Sequence, residues 1–500
     1  MSTFNDGTFD DPEGARLPIK VDSTSNGEFI PRPLERHSLE ANRLAQERAT
    51  QAAKRLGMSR RAFLTSSCGA AGTLLAFNEA HAAAGKTGGY YDVPGEARFE
   101  QAAADASVRG SEFIFDIQGH HFNPLGSWRD LESPWLTGLK YLPHGKCGYP
   151  RPNHELGYVD CFTGQAFIKE VFLDSDTDIG VLTFPPSTED DMPLSHEEAA
   201  ATRDIVAAME RSHRLLLHGR VLPNAPGDLE RMDELAEKWR VAAWKTYTQW
   251  SPDNQSGWWL DEEQGQKLID RARRTGVRVI CIHKGLPLPP PVMGTANRHF
   301  GSCRDVGAAA KRNPDMTFIV YHSGFDTKLK EGAFVAGAAV SGIDSLIQSL
   351  LDAGVAPNSN VYAELGSTWR YLMRDPDQAA HALGKLFKHV GENNVVWGTD
   401  SIWYGSPQDQ IEAFRTFQIS AELRERHEYP LITAGLRTKV FGLNAAVPYK
   451  VSAEEVRRQS AKDAIARARS NYEERRDPTY LTYGPRSRRE FLRLASLRNF

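Results

Sequence analysis

The chain has 500 residues, 40% of them hydrophobic and 25% charged, with a formal net charge of −4. Such a chain can bury one large core and carry appendages, and its charge leaves no electrostatic footprint for nucleic acid. No apolar run reaches the roughly 18 to 20 residues that a spanning helix needs, so a small-molecule substrate is the expected partner and no membrane span is expected. The five cysteines, Cys68, Cys147, Cys161, Cys281 and Cys303, form no CxxC pair, which argues against a zinc ribbon or a disulfide framework. Cys147 and Cys161 could pair in an oxidising compartment, but nothing in the sequence requires it.

Residues 1–58 are polar and rich in Pro, Glu and Arg; with few apolar side chains to offset ordering entropy, they are expected to form a poorly ordered extension. Residues 59–82 then read as a signal segment. Arg60-Arg61 precede an apolar, small-residue stretch from Cys68 to Phe77 and an AxA-like Ala80-His81-Ala82, the parts of a twin-arginine-type leader. This predicts export to the periplasm or beyond by the twin-arginine machinery, with a mature chain starting near Ala83. The same hexapeptide pattern recurs at Ser487 to Leu492 without an apolar region after it, so the reading rests on the apolar stretch and the Ala80-His81-Ala82 site beside the first copy.

Residues 83–450 alternate β-rich runs with segments of helical period, the pattern of parallel strands joined by crossover helices. Eight strands are predicted: Glu112 to Gln118, Asp178 to Phe184, Leu215 to Arg220, Val241 to Tyr247, Val277 to His283, Thr317 to His322, Asn360 to Leu365 and Asn394 to Asp400. Eight strands in this order predict an α/β fold, a (β/α)8 TIM-like barrel. Among the helices, Ser195 to Arg211 opens with a capping box from Ser195 and Glu198, Asp261 to Arg274 places Asp261 and Gln264 similarly, and Gly276 is a natural stop. Residues 451–500 form a charged helix, from Ser452 to about Arg475, and a basic tail expected to clasp a neighbouring surface or subunit. A homo-oligomer is left open.

In such a barrel the carboxyl ends of all strands open into one bowl. His120 follows the first strand, His283 ends the fifth, His322 the sixth and Asp400 the eighth. Any one alone would fit a structural role. Four at one rim point to a metal site or to acid/base chemistry.

The strand-six His322-Ser323-Gly324, the strand-eight Gly398-Thr399-Asp400-Ser401 and the closing Lys439 to Ala446 resemble the amidohydrolase superfamily, in its aminocarboxymuconate semialdehyde decarboxylase-like branch. The resemblance covers Phe113 to about Tyr449. It implies one divalent metal ion, zinc by preference or manganese, with His120, His283 and Asp400 as ligands and His322 as the acid/base residue; Asp400 would also act in catalysis by aligning metal and water. Gln118 stands where the family has a His or Glu, and its neutral amide would be a weaker ligand. His121 is a substitute only through a loop turn, since neighbours on a strand face opposite ways.

Lys245, inside the fourth strand, is expected to contact substrate rather than bridge two metals. Glu364 and His218, at the ends of the seventh and third strands, are rim candidates for binding substrate or orienting a ligand. The long connection from Phe122 to Asp160 carries Trp128, Trp135, Tyr141, His144, Tyr149 and Tyr158. With Trp258-Trp259 it could roof the bowl for a cyclic or aromatic substrate, or its rings could simply pack on one another. The leading reading is metal-assisted hydrolysis. Non-oxidative decarboxylation on the same scaffold is the alternative, and a non-catalytic exported binding protein the third.

Overall fold

The computed structural model describes residues 16–19, 21–26, 28–124, 126, 128, 161–208, 213–253, 256–287, 295–337, 341–473, 487–489 and 491–492. The strands, in chain order, are β1 (Gly89–Tyr91), β2 (Phe115–Gly119), β3 (Ile179–Leu182), β4 (Leu215–Arg220), β5 (Ala243–Tyr247), β6 (Val279–His283), β7 (Thr317–Tyr321), β8 (Val361–Glu364), β9 (Val395–Val396) and β10 (Phe417–Ile419). Strands β2 to β9 pair in sequence order, all parallel. The sheet closes on itself where Gly119 bridges Ser401 and the Ile117 amide donates to the Trp397 carbonyl at 3.2 Å. This is the predicted (β/α)8 barrel, and each predicted strand overlaps an observed one.

Period-two alternation divides each strand between two environments. Phe115, Ile117, Val181, Ala243, Cys281, Ile319, Tyr321 and Val396 fill the barrel interior with Tyr449. Trp244, Ile280, Ile282, Phe318, Val320 and Val395 face outward and join the core under the helices. Continuing the inward parity brings Lys245, His283 and Glu364 to the carboxyl end of the interior.

The helix His196–Ala208 opens as predicted: Ser195 Oγ accepts from the Glu198 amide at 3.1 Å, and the Ser195 amide donates to Glu198 Oε2 at 2.8 Å. The helix predicted from Asp261 starts later, as Glu263–Thr275, without a side-chain cap. Asp305 holds the Leu260 amide at 2.7 Å, and this tertiary bond sets where the chain turns. Gly276, at φ 79°, ends that helix. The single helix expected from Ser452 is two, Ala453–Ser460 and Ala464–Glu473. The chain breaks at Asp463, which accepts from the Ala466 amide at 2.8 Å and pairs with Arg214. Most of the basic tail lies outside the described residues.

The N-terminal region departs most from expectation. Residues 1–15 lie outside the described residues, but the described part from residue 16 onward is folded rather than poorly ordered. Helix α1 (Arg36–Leu56) buries Ala41, Ala45, Ala49, Ala52 and Ala53, and Gly57 at φ 65° ends it. Helix α2 (Arg60–Leu64) is capped by Ser59, and Arg60 donates to the Gln46 carbonyl at 2.8 Å. Helix α3 (Ser67–Ala83), the stretch read as a signal, buries Leu74, Phe77 and Ala80 against α1 and α4 (Gln101–Val108). Alanine explains the difference: it has the highest helix propensity, and its small side chain lets α1 and α3 approach closely enough to bury apolar area that a polar average conceals. β1 pairs antiparallel with β10 and fastens this region to the barrel. No described helix is long and apolar enough to cross a membrane. Cys161 is disulfide-bonded and Cys68, Cys281 and Cys303 are free, while Cys147 lies outside the described residues.

Candidate metal centre

The end of β2 carries a register irregularity between Asp116 and Gly119. Asp116 fixes it by accepting from the amides of Gln118 and Thr399, each at 3.1 Å. Burial pushes the Asp116 carboxyl up to about 7. The His120 amide donates to the Ser401 carbonyl at 2.6 Å, and His120 Nε2 lies 3.1 Å from Asp400 Oδ1. Two of the acidic and basic groups at strand ends sit in the left-handed region that favours glycine, His322 at φ 62° and Asp400 at φ 59°. Strain of this kind persists where the surroundings over-determine it, commonly at active sites.

His283 ends β6, its ring stacked on Tyr247 with centroids 4.9 Å apart and edge-on to His322 at 4.7 Å. Neither ring nitrogen of His283 makes a hydrogen bond. His322 Nδ1 lies 2.7 Å from the Gly366 carbonyl. A carbonyl only accepts, so Nδ1 carries the proton and Nε2, which has no hydrogen bond, presents a lone pair. Burial holds His283 well below the usual imidazole range, lowers His120 and takes His322 down to about 4. All three are thus neutral at pH 7, the state in which imidazole ligates a metal. Asp400 is surrounded by donors: Gln118 Nε2 at 2.8 Å, Trp403 Nε1 at 3.2 Å and Ser367 Oγ at 2.5 Å. Burial opposes its charge, but the hydrogen bonds from His120 and Ser367 hold its carboxyl below the ordinary value.

Two residues from the N-terminal segment complete this cluster. Asn26 donates through Nδ2 to Asp400 Oδ2 at 2.8 Å and to Glu28 Oε2 at 2.7 Å. Glu28 places Oε1 3.7 Å from His283 Nδ1 and Oε2 3.9 Å from His322 Nε2. Sequence reasoning missed both, along with Ser367 and Trp403. The only local signal was an acidic residue among apolar Val21, Phe29 and Ile30 in an otherwise polar stretch.

The structure sets His120 against Asp400 and His283 against His322, with Asn26 and Glu28 reaching both pairs, while other candidates fall elsewhere. Gln118 turns its amide nitrogen to Asp400, and its oxygen lies against Gly366, where even a Cβ would meet it at 2.0 Å. The amide nitrogen thus orients Asp400, and the buried oxygen has no hydrogen-bond partner. His121 points away from the bowl, onto Phe167 at 5.6 Å, as strand alternation requires. His218 is a structural residue of the interior: its ring nitrogens are taken by Thr183 Oγ1 at 2.9 Å and Tyr449 OH at 2.8 Å. Glu364 accepts from the His322 amide at 2.9 Å and fixes that strand end. Burial pushes its carboxyl up to about 8.

Trp128 packs on Phe122 and donates to the Asn123 carbonyl at 2.8 Å, which makes it part of the loop core rather than a substrate contact. Trp259 packs on Phe300 under the Arg304 guanidinium, 3.8 Å from its ring. The expected roof residues Trp135, Tyr141, His144, Tyr149 and Tyr158 lie outside the described residues. Lys245 is fully buried, its Nζ 3.4 Å from the Tyr321 ring centroid and without a hydrogen bond. Burial lowers its ammonium to about 8.

The donor set suits a divalent ion. Ligand atoms that each sit about 2.1 Å from one ion lie roughly 3 to 4 Å from each other; Glu28 lies 3.7 Å from His283 Nδ1 and 3.9 Å from His322 Nε2, and these three residues form a group that could hold a metal ion. Buried nitrogens without partners are costly unless something occupies the space between them.

The fold is that of a barrel enzyme, and the chain belongs to the amidohydrolase family, whose model, described as Amidohydrolase, matches residues 191–450. No curated protein matches the chain. Solved structures similar to it include an uncharacterised TIM-barrel protein from Bordetella bronchiseptica, with 12% identity over 70% of this chain and 99% of that one, TM-score 0.39. A 2,6-dihydroxybenzoate decarboxylase from Rhizobium has 13% identity over 68% of this chain and 99% of its own, TM-score 0.40. A dihydroxybenzoic acid decarboxylase from Polaromonas, solved with bound manganese, has 12% identity over 68% and 97%, TM-score 0.41.

Proposed function

We propose that the chain hydrolyses a small cyclic or aromatic organic substrate using one divalent ion, zinc or manganese, held by His120, His283 and Asp400. The observation that carries this reading is the pair of buried His283 nitrogens without a hydrogen bond, beside the His322 ring and at the same barrel mouth as the His120–Asp400 pair. When bound, such an ion supplies Lewis-acid polarisation and lowers the pKa of water. His322 takes and returns the proton at Nε2, its ring held by the Gly366 carbonyl. Asp400, kept ionised by its donors, accepts a hydrogen bond from the attacking water and aligns it.

Non-oxidative decarboxylation is the second reading, supported by Lys245: a buried ammonium without a hydrogen bond suits the carboxylate of an aromatic acid. Incubating metal-loaded protein with aromatic acids and with lactones separates the two by which product forms, carbon dioxide or the ring-opened acid. Export by the twin-arginine route is proposed on the Arg60-Arg61 pair together with the apolar stretch from Cys68 to Phe77 and Ala80-His81-Ala82. His283→Ala and Asp400→Asn are each expected to lose most bound metal by elemental analysis and all turnover. Full occupancy in either variant would refute the site.

A further inference from the structure

We propose that Glu28 is itself a ligand of the divalent ion, so that the N-terminal segment completes the metal site of the barrel. This rests on the metal reading above. The position where the family carries a stronger donor is filled here by Gln118, whose amide is turned to Asp400. In the ligand set proposed above, Asp400 is the carboxylate. Glu28 brings a second, its oxygens 3.7 Å and 3.9 Å from the very nitrogens of His283 and His322 that lack hydrogen bonds. Both separations are too long for hydrogen bonds; the 3.7 Å from His283 suits two donors of one ion, and the 3.9 Å leaves His322 Nε2 open for its proton.

The position of Glu28 is built rather than incidental. Leu17, Ile19, Val21 and Phe29 are buried on either side of it. Asn42 Nδ2 holds the Val21 carbonyl at 2.5 Å, Asp22 pairs with Arg370 at 3.0 Å, and Phe29 meets the edge of Tyr371 at 6.2 Å. Asn26 accepts from the Glu28 amide at 2.9 Å and donates to both Glu28 and Asp400, which sets the two carboxylates side by side. Two carboxylates so placed, 1% and 8% exposed, repel each other in a low dielectric. A divalent cation between them and the imidazoles removes that cost.

The test is manganese binding to the full chain, by calorimetric titration and by the electron paramagnetic resonance spectrum of the bound ion. Glu28→Gln keeps shape and removes charge; it should weaken affinity by at least about tenfold, the smaller loss seen when a group merely supporting a ligand is removed, and should change the spectrum. Glu28→Asp should recover part of the affinity. Wild-type affinity and spectrum in Glu28→Gln, with binding lost in His283→Ala, would overturn the Glu28 assignment and leave the barrel site standing. Turnover that rises in Glu28→Gln at unchanged affinity would also overturn it, because the segment would then be a cover over the site. No binding to the unaltered chain would overturn both readings.

Discussion

His322 can act on substrate only through Nε2, because the Gly366 carbonyl holds the other nitrogen at 2.7 Å. Its neutral state at pH 7 follows from burial and the nearby Lys245 charge, so it is ready to accept a proton. His322→Asn is expected to lower turnover by about 100- to 10,000-fold, the usual worth of a positioned acid/base group. Elemental analysis of the same variant decides its second role: loss of metal would make His322 a ligand and move the proton transfer elsewhere. Residues of this kind were legible in the sequence because each follows an apolar β run. His218 satisfied the same criterion yet turned out to be structural, since no pattern along the chain announces that Thr183 and Tyr449 would claim both its nitrogens.

Between β6 and the helices around it, one buried ion pair organises the rim. Lys284 Nζ lies 2.8 Å from Asp305 Oδ1, both side chains fully buried, and Asp305 also holds the Leu260 amide at 2.7 Å. Asp305→Ala would leave a buried ammonium and an unsatisfied amide. A loss of about 3–5 kcal/mol is expected in denaturant titration; a change below about 1 kcal/mol would mean water compensates at this position. Immediately after Lys284, Gly285 at φ 71° packs against the backbone of Gly324 and Phe325, where a Cβ would come within 2.3 Å. These contacts lock the turns after β6 and β7, and with them His283 and His322, into one unit. The strands were readable because burial on both faces makes each a short apolar run. The helix start at Glu263 was not, because the bond that sets it reaches Asp305, more than forty residues on.

At the scale of the whole chain, α1 and α3 behave as part of the barrel domain. A chain shortened to begin at Ala84 would lose the helices that cover Tyr91, Ala97, Ala104 and Val108, together with Asn26 and Glu28. It is expected to melt roughly 5–10 °C lower, at about 1 °C for each kcal/mol lost from a chain of this size, and to bind metal more weakly. Melting unchanged from the full chain would show that the region folds separately from the barrel. The packing of α3 also opposes cleavage near Ala83, so the export proposed above fits this fold if the helix stays attached. Sequencing the N-terminus of the protein from its native host checks this; a start near Ala83 would make residues 16–83 a removable cover.

The barrel and four of its rim residues could be read from the sequence because strand length, apolar runs and the residue after each run are local properties, expressed within a few positions. The roles of Gln118, His218 and Glu364 depend on which distant group reaches each polar atom first. Only the tertiary structure decides that. The same holds for Glu28: a glutamate in a polar N-terminal stretch looks solvated, and it becomes a buried carboxylate only because apolar neighbours on both sides draw the segment into the barrel mouth, next to residues more than 250 positions away.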